Sequence, residues 1–123
     1  GKVMLDNGSG SIINVSSTNA IDTYYPESCD YDASKAGVIS LTHNLAREFS
    51  PYIRVNCVCP GWVNTDMNKE LSVEQVHEEE KNILLRRFAE PDEIAKVIVF
   101  LASNKSSYVN DSIIRVDGGK FNG

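Results

Sequence analysis

The sequence predicts an α/β fold with one parallel sheet, in which strands and helices follow the order β-α-β-α-β. Residues 11–15 and 53–59 are β-branched runs bounded by glycine, serine or proline, as strands buried on both faces are. Between them, residues 30–50 place apolar side chains at helical spacing. Residues 91–103 and 112–116 repeat the pattern of a helix followed by a strand. Because parallel strands need a helical connection, this alternation favours a single layered α/β unit.

Composition and charge indicate one small globular domain that binds neither nucleic acid nor membrane. The chain has 123 residues, 41% of them hydrophobic, which is enough for a core. Seventeen acidic residues outnumber twelve basic ones, for a net charge of -5, and no basic cluster could follow a phosphate backbone. No apolar run approaches the roughly eighteen residues that span a bilayer, and no signal-peptide pattern opens the chain. These features predict a cytoplasmic protein.

The cysteines and histidines show no metal-ligand pattern. Cys29, Cys57 and Cys59 are odd in number, and the last two alternate in a predicted strand, so we expect small buried side chains there. His43 lies on the long predicted helix and His77 lies among glutamates, and neither has a partner at ligand spacing. The sequence therefore predicts no metal site and two surface histidines.

The chain opens on what looks like the end of a helix. Residues 1–7 are typical of a last helical turn, and residues 8–10, Gly-Ser-Gly, are its stop. Because a domain seldom begins with the tail of a helix, we expect upstream residues to belong to the same fold. The strand at residues 11–15 follows directly. Residues 19–29, polar and aromatic without periodicity, are expected to form a loop over the site.

In the second half of the chain, prolines and glycines mark where predicted strands and helices begin or end. Pro60 with Gly61 ends the second strand. In the polar segment that follows, Ser72 and Gln75 could form a capping box, which predicts a mobile helical flap. The next helix begins on Pro91, a residue suited to the first helical position, with acidic residues facing its dipole.

One stretch has the features of an acid-base site. Ser16 and Ser17 come directly after the first strand, and open parallel sheets keep their active sites outside the carboxyl ends of strands. Tyr31 and Lys35 are four residues apart at the start of the long helix, so their side chains lie on one face. At about 4 Å and an effective dielectric near 20, the lysine charge favours the ionised phenol by roughly 4 kcal/mol. Such a phenol can exchange a proton at cellular pH.

Four short blocks of the sequence follow one another in a fixed order. They are GSIINVSS at residues 10–17, YDASKAG at 31–37, RVN at 54–56 leading to PGWVNT at 60–65, and VDGG at 116–119. A tyrosine and a lysine at this spacing are common by chance, and Tyr31 alone could be an ordinary aromatic beside a solvated Lys35. The four blocks together resemble the classical branch of the short-chain dehydrogenase/reductase family, which includes 3-oxoacyl-carrier-protein reductases and glucose dehydrogenases.

The resemblance implies a Rossmann-like, doubly wound parallel sheet of which residues 1–123 are the C-terminal catalytic part. It covers nearly the whole chain but only the C-terminal half of such an NAD(P)-binding domain, so the upstream cofactor-binding half is expected to be absent from this sequence. Gly8-x-Gly10 does not replace the family's phosphate turn, because it precedes a strand and does not open a helix. Residues 109–112 stand where many relatives have a glycine. We expect the energetic cost of lacking that glycine to be confined to a local turn.

The resemblance also implies roles for the acid-base residues. Tyr31 would give the proton to a carbonyl in the reductive direction. Lys35 would assist the phenol and hold the nicotinamide ribose hydroxyls. Ser17 would polarise the substrate oxygen, with Ser16 as the alternative.

A second group of residues is implied to meet the nicotinamide. The Pro60-Gly61 turn would place exact hydrogen bonds beside the hydride path, with the backbone of Val63 taking the carboxamide and Thr65 making a further cofactor contact. Trp62, next to this turn, is either a substrate contact or a plain packing residue.

The function implied is that of an NAD(P)-dependent oxidoreductase that interconverts a carbonyl and a secondary alcohol of a small molecule. The resemblance further implies a homo-oligomer, a dimer or tetramer, with contacts through the long helix and the last strand. Two alternatives stay open at this point: a non-catalytic fragment or binding module of the same fold, and an epimerase or dehydratase with the same Tyr-Lys chemistry. The sequence favours neither NAD nor NADP and carries no readable code for the substrate.

Overall fold

The computed structural model describes residues 1–22 and 26–120 of the chain. In chain order the elements are α1 (Lys2–Asn7), β1 (Gly10–Val15), α2 (Cys29–Phe49), β2 (Ile53–Pro60), α3 (Val73–Lys81), α4 (Pro91–Ala102) and β3 (Ile113–Val116). These bounds agree closely with the predicted elements, and the predicted α/β class is confirmed. Residues 23–25, inside the predicted loop, lie outside the described residues, and the chain on either side of them forms single helical turns.

The three strands form one parallel sheet in the order β1-β2-β3. Val15 at the end of β1 lies opposite Val58 of β2, and Pro60 at the end of β2 lies opposite Val116 of β3. The carboxyl ends of all three strands therefore meet at one edge of the sheet, which is where open α/β sheets bind ligands. Because α2 covers one face and α4 the other, the sheet is doubly wound, as predicted.

Alternation of side chains along β2 divides the core into two layers. Ile53 points toward α2 and packs against Ala46, whereas Val58 points toward α4 and packs against Leu101. These side chains are almost completely buried. At roughly 1.5–3 kcal/mol for each large aliphatic side chain, the two layers supply the main driving force for holding both helices on the sheet.

The two cysteines of β2 are buried, as predicted. Cys57 and Cys59 lie on the α2 side of the sheet, and both are free thiols. The hydrogen bond with Cys57, together with burial, raises the pKa of the Cys59 thiol, so this thiol stays protonated. Cys29, by contrast, is exposed at the first residue of α2. The β2 pair therefore behaves as small core side chains.

Local signals set the ends of the helices. Gly8 ends α1 in the left-handed conformation, with φ of 80°, and its N–H donates to the Leu5 carbonyl. Ser72 and Gln75 exchange both hydrogen bonds of a capping box at the start of α3, which confirms that prediction. Pro91 occupies the first turn of α4, as predicted. No helix among the described residues combines the length and apolarity needed to cross a bilayer.

Long-range hydrogen bonds from β2 hold the segment between α4 and β3. The Arg54 guanidinium donates to the carbonyls of Leu101, Ser103 and Val109 and to the hydroxyl of Ser106, over distances of 3.0 to 3.3 Å. The first two carbonyls belong to the end of α4, where unpaired carbonyls and the helix dipole favour a cation. Arg54 thus joins the central strand to the chain that leads into β3.

The segment at residues 109–112 also makes contacts outside its own turn. Asp111 has φ of 56°, in the left-handed region that aspartate tolerates better than most residues with a side chain. Its carboxylate lies 2.5 Å from His43 Nδ1 and 3.3 Å from Arg47 Nη1, and both of these side chains belong to α2. Asp111 therefore ties the chain just before β3 to α2, and His43 is half-exposed and paired with this carboxylate.

Candidate active site

A cavity of about 700 Å³ opens at the carboxyl edge of the sheet. Residues that follow all three strands line it, together with the start of α2 and the end of α3. The predicted site residues on its wall are Ser17, Tyr31, Gly61, Trp62, Val63 and Thr65. Among the described residues, Lys35 and Pro60 are the two predicted ones that lie beside this wall and not on it.

The two serines after β1 point to different places. The Ser17 hydroxyl is on the cavity side, where it accepts a hydrogen bond from the Asn19 N–H at 3.2 Å and begins a tight turn over Thr18–Ala20. The Ser16 hydroxyl donates to the Lys35 carbonyl at 2.7 Å, so it is turned toward α2. Consecutive side chains at the end of a strand alternate between faces, which explains why only one serine reaches the cavity. The geometry therefore separates the preferred serine from its alternative.

Tyr31 and Lys35 meet on one side of α2, as the spacing predicts. The Lys35 Nζ atom lies 5.6 Å from the centre of the Tyr31 ring and 3.4 Å from the Val15 carbonyl at the end of β1. Tyr31 is 46% exposed and lies on the cavity wall. Lys35 is thus placed between the aromatic ring and the strand end, close enough for a favourable cation-π contact.

The start of α2 is joined directly to the serine turn. The Asp32 carboxylate accepts hydrogen bonds from the Asn19 side-chain amide at 2.9 Å and from the Ser28 hydroxyl at 3.2 Å. The Tyr31 N–H donates to the carboxylate of Asp30 at 3.0 Å. Because Asn19 belongs to the turn that Ser17 begins, these contacts restrict the position of the phenol relative to the hydroxyl.

The Pro60-Gly61 turn is set by its contact with the end of β3. The Gly61 N–H donates to the Val116 carbonyl at 3.1 Å. A Cβ atom at Gly61 would lie only 2.7 Å from the Cβ of Asp117, so no side chain fits at this position. Pro60 itself remains in β2, opposite Val116, and this explains why it lies off the cavity wall.

Beyond this turn, the backbone of Val63 presents a donor and an acceptor on one side. Val63 pairs with Ala89, but the hydrogen bonds of this pairing use the Trp62 carbonyl and the Asn64 N–H. The N–H and C=O of Val63 itself therefore point the opposite way, and its carbonyl accepts from the side-chain amide of Asn68. Since Val63 and Asn68 both line the cavity, this backbone unit can recognise an amide that carries its own donor and acceptor.

Trp62 packs against its neighbours and also lies on the cavity wall. Its ring stacks on Phe88, with centroids 5.3 Å apart and planes 11° from parallel. Its Nε1 donates to the Glu79 carboxylate at 3.2 Å, which ties the turn after β2 to α3. The same residue lines the cavity. Trp62 is therefore a packing residue with one part of its surface available to a ligand.

Sequence reasoning missed most of the cavity wall that the end of α3 and the last strand supply. This part is formed by the end of α3 and by the chain after β3, and it includes Asn82, Ile83, Arg115, Asp117 and Lys120. The VDGG block was noticed, but no role followed from it. One signal could have found these residues: in a parallel sheet, whatever follows the neighbouring strand must emerge at the same edge. The contact with α3 had no such signal.

Comparisons with known proteins agree with this arrangement. The family model described as Enoyl-(Acyl carrier protein) reductase matches residues 1–120. The chain is 44% identical over 117 residues to the 3-oxoacyl-[acyl-carrier-protein] reductase of Thermotoga maritima, a match that covers 94% of this chain and 47% of that protein. The chain thus spans about half the length of the curated relatives it matches.

Solved structures give the same result at the level of the fold. The crystal structure of a gluconate 5-dehydrogenase from Burkholderia cenocepacia in complex with NADP and tartrate has a TM-score of 0.89 and 30% identity, covering 96% of this chain and 47% of that one. A 3-oxoacyl-[acyl-carrier protein] reductase from Brucella melitensis with bound NAD has a TM-score of 0.86 and 35% identity. The match covers 99% of this chain and 45% of that one. With the four sequence blocks, the doubly wound sheet and the family model in agreement, the chain belongs to the short-chain dehydrogenase/reductase family.

Proposed function

We propose that the complete protein is an NAD(P)-dependent oxidoreductase that interconverts a carbonyl and a secondary alcohol, and that this chain supplies its catalytic wall. The observation that carries the proposal is one cavity that holds the Ser17 hydroxyl and the Tyr31 phenol, with the Lys35 ammonium beside the phenol ring. A hydroxyl and a phenol facing one cavity can together bind a single carbonyl oxygen. This is the arrangement that carbonyl reduction requires.

The three side chains would divide the work at that oxygen. The Tyr31 hydroxyl gives a proton to the carbonyl oxygen in reduction and takes it back from the alcohol in oxidation. The Ser17 hydroxyl donates a second hydrogen bond to the same oxygen and polarises the carbonyl. Lys35 stabilises the phenolate that remains after proton transfer, because its positive charge lies on the same face of α2.

The residues at the cavity mouth fit a nicotinamide. The carboxamide of that ring carries one donor group and one acceptor, which match the C=O and N–H that Val63 turns away from Ala89. Gly61 leaves room beside it, and Thr65 lines the same wall. When bound, the dinucleotide supplies the hydride that reaches the carbonyl carbon. Lys35 and the Pro60 turn would complete the contacts, and NAD and NADP are both compatible with this half of the fold.

Isotope transfer tests the proposal as a whole. The complete protein would be incubated with the reduced nicotinamide adenine dinucleotides, NADH or NADPH, deuterated at both C4 positions, and with a panel of small ketones and aldehydes. Deuterium should appear on the carbinol carbon of at least one product, as measured by mass spectrometry. If the protein binds the dinucleotide but transfers deuterium to no carbonyl, or changes a substrate without net redox chemistry, the oxidoreductase assignment is wrong.

The two serines give a matched pair of variants. Ser17→Ala should lower kcat roughly 10²-fold, because it removes one hydrogen-bond donor to the developing oxyanion. Ser16→Ala should leave kcat within about threefold of wild type, since that hydroxyl bonds to the Lys35 carbonyl and does not face the cavity. Steady-state kinetics on both variants would check the prediction. Equal loss in the two would show that the serine assignment is incorrect.

We further propose that the protein is a homo-oligomer, a dimer or tetramer. Support comes from large apolar side chains that are exposed on two helices: Leu41 on α2, and Val99 and Phe100 on α4. Exposed apolar surface of this kind is typical of subunit contacts. Multi-angle light scattering of the complete protein would measure its mass, and a monomer at micromolar concentration would exclude the assembly.

A further inference from the structure

An ion-pair network lies on the part of the cavity wall that β3 and the chain after it form, and the acid-base chemistry makes no use of it. Its centre is Arg115 of β3, whose side chain is one-third exposed. The Arg115 Nη1 atom lies 2.9 Å from the Asp22 carboxylate, while Nε and Nη2 lie 3.1 and 2.9 Å from one oxygen of Asp117. One planar guanidinium thus contacts two carboxylates from separate parts of the chain, a geometry that arginine allows and lysine does not.

The first carboxylate belongs to the serine turn. Within this turn the Ala20 N–H donates to the Ser17 carbonyl at 3.0 Å, and the N–H groups of Ile21 and Asp22 donate to the Thr18 carbonyl at 3.0 and 3.1 Å. These hydrogen bonds make residues 17–22 one compact unit. A contact that fixes the Asp22 side chain therefore also restricts the position of the backbone that carries the Ser17 hydroxyl.

The second carboxylate belongs to the turn after β3, which packs against the Gly61 turn. One Asp117 oxygen accepts from the Gly119 N–H at 3.0 Å, and the other is held by Arg115. The Asp117 side chain lies against Gly61, where even a Cβ atom would come within 2.7 Å. The position of Asp117 therefore limits where the Gly61 turn can lie.

We propose that Arg115 is a positioning residue that holds the serine turn and the Gly61 turn at a fixed separation across the cavity. The inference rests on the proposed function, since the separation matters only if substrate oxygen and nicotinamide must meet. Arg115 links Asp22 on one side to Asp117 on the other, and the start of α2 is already tied to the same turn through Asn19 and Asp32. Two connections therefore meet in the serine turn. The contact of Asn19 with Asp32 relates the Ser17 hydroxyl to the Tyr31 phenol, and the contacts of Arg115 relate it to the Gly61 turn.

The electrostatics of the network agree with a persistent contact. The hydrogen bond from Arg115 lowers the pKa of the Asp22 carboxyl below its ordinary value, and the hydrogen bonds to Asp22 and Asp117 raise the pKa of Arg115. Lys120 adds a second cation, with Nζ 3.7 Å from the other Asp22 oxygen. The Lys120 ammonium also donates to the Asp22 backbone carbonyl at 2.5 Å, so it makes a second link between the serine turn and the chain after β3. Arg115 is the residue that holds the Asp22 and Asp117 carboxylates together.

The test compares Arg115→Gln and Asp22→Asn with an arginine at a remote ion pair, Arg47→Gln, in the complete protein. We expect both network variants to lower kcat about tenfold or more while the dissociation constant of the dinucleotide changes less than about threefold, because small displacements of reacting groups slow the chemical step. Arg47→Gln should leave both constants unchanged. Arg115→Lys should lower kcat about as much as Arg115→Gln does, because a lysine keeps the positive charge but cannot contact both carboxylates in the same way.

Hydrogen exchange gives a readout that does not depend on activity. In Arg115→Gln the amides of residues 20–22 should exchange about tenfold faster, while the amides of β2 keep their wild-type protection. Faster exchange throughout β2 would mean that Arg115 only stabilises the fold, and this would overturn the proposal. Unchanged kcat and exchange in both network variants, or full recovery by Arg115→Lys, would also overturn it.

Failure of this inference is distinguishable from failure of the proposed function. If Tyr31→Phe abolishes carbonyl reduction but Arg115→Gln behaves as wild type, the oxidoreductase assignment stands and only the positioning role is wrong. If the wild-type protein transfers no deuterium to a carbonyl, the function itself is wrong and the positioning role falls with it.

Discussion

Replacing Tyr31 with phenylalanine is expected to lower kcat for carbonyl reduction by about 10²–10⁴-fold, the range that a positioned general acid contributes. The phenylalanine ring keeps the packing of the tyrosine at the start of α2 and removes only the hydroxyl. Binding of the dinucleotide should change by less than about threefold, because the Val63 backbone and the Gly61 turn are unaffected. Steady-state kinetics and a dinucleotide titration on the complete protein would measure the two effects.

Tyr108 offers a matched control for this variant. It is a fully exposed tyrosine in the segment between α4 and β3, so Tyr108→Phe removes a hydroxyl far from the cavity and should leave kcat unchanged. Retained turnover in Tyr31→Phe would remove the central residue from the proposed mechanism. Loss of both turnover and dinucleotide affinity would mean that the phenol acts in binding and not in proton transfer.

Replacing Arg54 with methionine is expected to lower the free energy of unfolding by about 2–3 kcal/mol. Methionine keeps the apolar stem of the side chain and loses the four hydrogen bonds that hold the chain between α4 and β3. Each carbonyl keeps another donor: Ser11 donates to Leu101, Ser106 donates to Ser103, and Asn56 donates to Val109. The expected decrease in the free energy of unfolding is therefore that of the lost charge-assisted hydrogen bonds alone.

Urea denaturation of the complete protein would measure this change as a shift in the midpoint. Arg47→Met is the control, because Arg47 is 70% exposed on α2 and a surface ion pair contributes only about 0–1 kcal/mol. If both variants shift the midpoint equally, then Arg54 stabilises the fold no more than a surface arginine does. The connection between β2 and the end of α4 would then have to be attributed to side-chain packing alone.

The sequence was sufficient for the elements because their signals are local. Helical spacing and β-branched runs predicted α2 and the three strands to within a residue or so. The capping box of Ser72 and Gln75 was predicted from residues three positions apart, and its hydrogen bonds depend on nothing outside that turn. The spacing of Tyr31 and Lys35 likewise determined that the two side chains share one side of a helix.

Other features had no local signal. The resemblance preferred Ser17 over Ser16, but no local signal separated the two serines, because a shift of one residue at a strand end reverses the face and both follow the same strand. Nor could the sequence foresee that Pro60 would stay within β2 while Gly61 and Val63 line the cavity. The contact of Asp111 with α2 was missed as well, because it joins side chains far apart in the chain.

Taken by itself, the sequence determined the class of fold, the order of its elements and the set of groups able to carry acid-base chemistry. Only the tertiary structure decided which serine faces the cavity, which side of Val63 is open and that Arg115 joins the turns after β1 and β3. The physical reason is a difference in range. Secondary structure follows from periodicity and turn chemistry over a few residues, whereas the separation of groups across a cavity depends on how parallel strands and their covering helices pack.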